Sequence, residues 1–140
     1  MFVPVTILQG NHCPLTVRRL TSVIQIEASR VLAEESCARN IFLIYVSTDY
    51  VFDGKPGAAP YEAHASPSPP NFYGETKLAG EQAVLKASPS GGAVVLRVPV
   101  LYGEVEENKE SAVNVLLDAV WNVGKKHKIE MDHWSVRYPT

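Results

Sequence analysis

The sequence predicts an α/β protein, part of a doubly wound domain built on a parallel sheet. Two short apolar, β-branched runs, "IFLIYVS" (41–47) and "AVVLRV" (93–98), have the length and composition of buried strands. Helix-compatible segments precede, separate and follow them. The stretch between the runs holds both a loop and a helix, enough chain for the right-handed crossover that joins parallel strands.

Taken in order, residues 1–18 show no clear period and stay unassigned. From Arg19 to about Arg39, the apolar positions Leu20, Ile24, Ala28, Val31 and Leu32 follow a helical spacing. Residues 41–47 are too short for an ordinary helix and read as a strand buried on both faces. Residues 48–70 contain Pro56, Pro60, Pro67, Pro69 and Pro70 and two glycines, which predicts a long loop, a frequent carrier of function. A helix follows over about Asn71–Ala87, then a Ser-Pro-Ser-Gly-Gly turn, then the second strand, stopped by Pro99. Residues 108–122 form an amphipathic helix with Ala112, Val113, Leu116, Leu117, Val120 and Trp121 on one face. The tail, 124–140, is polar and irregular. Two parallel strands are fewer than the roughly five or six of a doubly wound sheet. The expected organisation is therefore a segment at 1–18, the central part of a domain lacking its first strands at 19–123, and the start of a further region at 124–140.

Composition narrows the function. A chain of 140 residues that is 46% hydrophobic and 20% charged is large enough for one folded domain and too apolar for a disordered one. Its net charge of −2 gives no electrostatic reason to expect nucleic acid or an anionic membrane as partner. The basic cluster Lys125-Lys126-His127-Lys128 reads as a solvated loop. Cys13 and Cys37 are too few for a disulfide scaffold and fit reduced thiols of a cytoplasmic protein. The opening "MFVPVTILQG" lacks the basic region of a signal peptide, and no run reaches the length of a membrane span. Asp49 and Asp53 fit loop capping better than metal binding. His64, His127 and His133 have no partners at ligand spacing, so no metal site is expected. Ser47 lacks the positioned histidine of a hydrolase.

In open parallel sheets, ligands sit outside the carboxyl ends of the strands. Ser47 and Thr48 end the first strand. Tyr73 and Lys77 open the following helix, and Leu101, Tyr102 and Gly103 follow the second strand. Residues four apart share a helix face, so Tyr73 and Lys77 can address one cleft. A phenol with a pKa near ~10 is a slow proton donor or acceptor at neutral pH, and a nearby ammonium lowers that pKa. The same ammonium can hold a ribose hydroxyl, while a hydroxyl of Ser47 or Thr48 holds a substrate carbonyl. A blander pattern fits equally: Tyr73 packed at a helix start, and Lys77 solvated and paired with Glu81.

"STDYVFDG" (47–54), "YGETKLAGEQAVL" (73–85) and "VVLRVPVLYGE" (94–104) together resemble the extended short-chain dehydrogenase/reductases, and among them the dTDP-4-dehydrorhamnose reductases. The resemblance implies an NAD(P)-binding Rossmann domain with NADP as cofactor. It implies a catalytic set of Thr48 (with Ser47 as neighbour), Tyr73 and Lys77, and it places Leu101 beside the nicotinamide end of the cofactor. "LYGEVEENKESAVNVLLDAV" and "MDHWSVRYPT", with "FLIYVSTDYVFDG", are similar to the regulatory β subunits of methionine adenosyltransferase. That likeness implies a regulatory role, binding NADP and the catalytic subunit that makes S-adenosylmethionine, with the reductase residues vestigial. The alternative it leaves is an NADPH-dependent reductase of a nucleotide-linked 4-keto-deoxysugar. One departure stands out. No Gly-rich dinucleotide fingerprint occurs, since Gly91-Gly92 precedes a strand instead of following one.

Overall fold

The computed structural model describes residues 15–101, 103–111 and 113–121. Expectations for residues 1–14 with Cys13, for Tyr102, Ala112 and the Leu116 side chain, and for 122–140 with the 125–128 cluster, His127 and His133 lie outside those residues.

The chain enters as a helical rod in three parts: α1 (Leu15–Ser22), a π-helical stretch (Val23–Ala28) and α2 (Ser29–Ala38). Asn40, with a positive φ of 56°, ends the rod and turns the chain into β1 (Leu43–Thr48). A 3-10 turn, Asp49–Val51, and the proline-rich loop lead to α3 (Phe72–Ala87), which returns to β2 (Ala93–Val98). The strands pair in parallel, from Leu43 opposite Ala93 to Thr48 opposite Val98. The α/β class and the parallel pair expected from the sequence are therefore what the structure has.

α3 starts where the sequence places it because Asn71 caps it. Asn71 is extended, and its Oδ1 accepts the Gly74 N–H at 2.9 Å. Glu75 in the first turn and Lys86 in the last complement the helix dipole. Two glycines let α3 approach its neighbours. A Cβ on Gly74 would collide with the Tyr50 carbonyl, and one on Gly80 would collide with the Tyr45 hydroxyl and lie 2.6 Å from the Gln25 carbonyl. The π-helical stretch carrying Gln25 is thus pressed against α3 at Gly80. Ala33, Tyr45 and Val84 form the core, flanked by Leu43, Ala87, Ala93 and Val95.

Three expectations are corrected. Both strands were expected to be buried on both faces, but the structure covers only one. Ile44, Val46, Val94 and Leu96 are 42–55% exposed, because the described helices that pack on the sheet lie on the Tyr45 side. The helical spacing at Leu20, Ile24, Val31 and Leu32 marks a real helix, yet those four side chains point outward and small Ala33 faces the core. The single helix expected at 108–122 is instead a 3-10 turn (Asn108–Glu110) and α4 (Val115–Trp121). Ser111 separates them: its backbone is extended, and its Oγ accepts the Asn114 N–H at 3.3 Å, as a capping serine does.

Candidate functional site

Thr48 and Tyr73 meet at the carboxyl end of β1. Thr48 is buried. Its Oγ accepts the Tyr50 N–H at 3.2 Å and donates to Asp49 Oδ1 at 3.2 Å, which fixes the turn beyond the strand. The Tyr73 ring stands edge-on to Tyr50, with centroids 6.1 Å apart. Burial pushes the Tyr73 phenol above its ordinary pKa, the Asp49 charge adds to that, and a hydrogen bond with Thr48 opposes both. The ammonium that was expected to lower this pKa is directed elsewhere.

Lys77 turns inward. It is buried, with Nζ donating to the Val46 carbonyl at 2.6 Å and to Gln25 Oε1 at 3.4 Å, and it lies 4.3 Å from the centre of the Tyr45 ring. Burial lowers its pKa, and the Glu81 charge partly restores it. The solvated Lys77–Glu81 pair is therefore not what the structure has. Among the described residues, these two acceptors and the Tyr45 ring are the partners of the ammonium.

Glu81 belongs to a different network. It accepts the Ser47 hydroxyl at 2.5 Å and receives Arg97 through Nε at 3.0 and 3.2 Å and through Nη2 at 2.6 Å. Arg97 also donates to the Ala63 carbonyl at 3.2 Å and lies 5.1 Å over the Phe52 ring. Phe52 stacks on Tyr61 at 4.3 Å, and the Tyr61 hydroxyl donates to Asp53 at 2.9 Å. Lys55 and Tyr61 hold the Asp53 carboxyl down at about 2, so Asp53 caps the loop as the sequence suggests. Because Ser47 is spent on Glu81, Thr48 is the strand-end hydroxyl next to Tyr73. Leu101, 62% exposed, follows Pro99 beyond β2 and meets none of these groups through a described contact. A cleft of about 910 Å³ is lined by Asp49, Phe52, Tyr61, Glu81, Leu85 and Arg97 but by neither Tyr73 nor Lys77.

Gln25, Tyr45 and Arg97 were not singled out from the sequence, and Glu81 was considered only as a solvated partner of Lys77. Arg97 carried a signal, since a cation inside "VVLRV" requires a buried partner. Gln25 carried a weaker one, a polar residue within the apolar stretch "VIQIEA". Tyr45 carried none, because it reads as one more apolar strand residue.

Residues 16–140 match the RmlD substrate binding domain. The chain belongs to that family. It is 51% identical over 119 residues to methionine adenosyltransferase 2 subunit beta of Xenopus tropicalis, covering 85% of this chain and 34% of the relative. It is also 51% identical, over a shorter stretch of 75 residues, to the dTDP-4-keto-6-deoxy-D-glucose reductase of Streptomyces niveus, covering 54% of this chain and 25% of that one. Among solved structures, the dTDP-4-dehydrorhamnose reductase of Bacillus anthracis in complex with NADP is similar at a TM-score of 0.62 and 30% identity. That likeness covers 81% of this chain and 37% of the reductase. The chain thus spans about a third of the length of its vertebrate relatives.

Proposed function

We propose that this chain is the central part of a cytoplasmic regulatory subunit of methionine adenosyltransferase, binding NADP and the catalytic subunit to modulate S-adenosylmethionine synthesis. The observation that carries this reading is the 51% identity with the vertebrate β subunit, sustained over 119 residues. The polar groups fit a dinucleotide. A buried ammonium, a phenol and a threonine hydroxyl at the carboxyl end of a parallel strand make a donor set for ribose hydroxyls. Lys77 and Tyr73 would hold the ribose, Thr48 would orient Tyr73, and Leu101 would lie against the nicotinamide. Bound NADP(H) supplies hydride chemistry in reductases. A phenol whose pKa is raised by burial stays protonated at neutral pH and serves here as a hydrogen-bond donor. Mixing the full-length protein with the catalytic subunit at micromolar concentration should give a stable complex on size exclusion. Two separate peaks would overturn the reading.

A second reading rests on the Streptomyces relative and on the presence of Thr48, Tyr73 and Lys77 together: an NADPH-dependent reductase of a nucleotide-linked 4-keto-deoxysugar. NADPH oxidation with that sugar distinguishes it. Turnover lost in Tyr73→Phe would establish the reductase, whereas no turnover in the native protein would exclude it.

A further inference from the structure

The proline-rich loop contains a feature that the dinucleotide reading leaves unused. "ASPSPPN" (65–71) places two serines, Ser66 and Ser68, each directly before a proline. A third Ser-Pro pair, Ser88-Pro89, closes α3. The three differ in access. Ser66, Pro67 and Ser68 are exposed on an irregular stretch of loop, whereas Ser88 is 6% exposed beneath the helix end.

We propose that Ser66 and Ser68 are phosphorylation sites for a proline-directed serine/threonine kinase. Kinases of that class bind their substrate as an extended segment and require proline after the acceptor serine, where no backbone N–H is available. The residue before a proline is driven out of the helical region into extended backbone, so both serines are biased toward the conformation such a groove accepts. Proline on both sides also lowers the ordering entropy that binding costs. The step itself balances: serine Oγ attacks the γ-phosphorus of MgATP, the bond to ADP breaks, and the hydroxyl proton passes to the kinase base.

The two acceptors are not equivalent. The Ser68 N–H is held by the Val51 carbonyl at 2.9 Å, and the next residue, Pro69, packs where a Gly74 side chain would stand. Ser66 lies two residues outside that anchor, so it reacts first and Ser68 follows once the anchor opens. Either phosphate adds about −1.5 to −2 charge to the loop joining Thr48 to Tyr73. That loop already carries Glu62, and its hold on the first turn of α3 positions Tyr73.

The folded chain is incubated with a proline-directed kinase and MgATP, beside a synthetic peptide of residues 61–73, and the phosphate is mapped by tandem mass spectrometry. The expected result is phosphate on Ser66 and then on Ser68 in the folded chain, and on both serines without that order in the peptide, which lacks the Val51 anchor. Labelling of Ser88 should be at least about tenfold slower, since a buried serine reacts only after local opening. Replacing both loop serines (Ser66→Ala with Ser68→Ala) should remove the modification while the circular dichroism stays unchanged. A peptide that is not a substrate, a folded chain that stays unlabelled while the peptide reacts, or Ser88 labelled as fast as Ser66 would each overturn the assignment.

Discussion

On one face of the β1–β2 pair, Tyr45, Ser47 and Arg97 turn toward α3, where Tyr45 meets the buried Lys77 and Ser47 and the partly buried Arg97 meet Glu81. On the other face, the side chains of Ile44, Val46, Val94 and Leu96 are 42–55% exposed. The inner face thus mixes these polar groups with the apolar Leu43, Ala93 and Val95, whereas the outer face is aliphatic and half-exposed, against the usual preference. The contrast teaches which interaction chooses the position of α3. Apolar contact with either face would stabilise a helix without preferring one register. Glu81 reaching both Ser47 on β1 and Arg97 on β2 satisfies its oxygens in one placement only, and that placement brings Tyr73 to Thr48.

Removing the centre of the polar face should therefore have the largest effect. Glu81→Ala leaves Arg97 and the Ser47 hydroxyl without their shared acceptor in a covered seam. Breaking one side of a buried pair costs about 3–5 kcal/mol, and urea unfolding of the full chain should show a loss of that order. A loss below about 1 kcal/mol would be the behaviour of a solvent-screened surface pair, and the contrast between the faces would then lose its basis.

Next in size is the close approach of α3 to the turn after β1. Gly74→Ala puts a methyl group into the Tyr50 carbonyl and against Pro69. Overpacking of this kind costs about 1–3 kcal/mol. The displacement also carries Tyr73 away from Tyr50 and Thr48, so stability and any NADP affinity should fall together. Stability retained with affinity lost would mean that the turn shifts without cost and that only the site depends on its position.

These two substitutions also mark what the sequence discloses. The strands, the loop and the helix after it follow from local patterns, apolar runs and prolines, whereas the set of Thr48, Tyr73 and Lys77 comes from the family resemblance. The direction of the Lys77 side chain does not, because it depends on Gln25, 52 residues away in sequence and brought near by the packing of the rod on α3. The covered face of the sheet is likewise invisible in "IFLIYVS", where both faces are apolar until Ser47. Arg97 was the one local clue that the inner face is polar, since its charge breaks an otherwise aliphatic strand.

A smaller effect separates the faces by pH. Burial pushes the Tyr45 phenol up to about 12, from the ordinary value near 10. Its folded pKa is raised, so its contribution to stability is complete below about pH 10 and declines as pH rises toward about 12. In that window the unfolded chain loses the proton first, which favours unfolding. Tyr45→Phe should remove this part of the alkaline unfolding profile and leave the acid side unchanged. An unaltered alkaline limb would show that Tyr45 ionises as freely in the fold as in water.

The smallest expected effect is on the aliphatic face, and it tests the contrast from the opposite direction. Val46→Thr and Val94→Thr keep side-chain shape and add one hydroxyl each. On a solvated surface such changes alter stability by no more than about 0.5 kcal/mol. Under a packed layer an unsatisfied hydroxyl costs about 1–3 kcal/mol. Urea unfolding of the double variant in the 140-residue chain should therefore be nearly unchanged. Its tendency to self-associate, read by light scattering, should fall, because an apolar patch beside strand edges that no described strand covers invites pairing. Repeating the substitutions at the matching positions of a full-length vertebrate relative completes the comparison. A loss of about 1–3 kcal/mol per site there, absent in this chain, would show that the additional residues of the relative cover this face. The exposure of the aliphatic face would then belong to this chain alone.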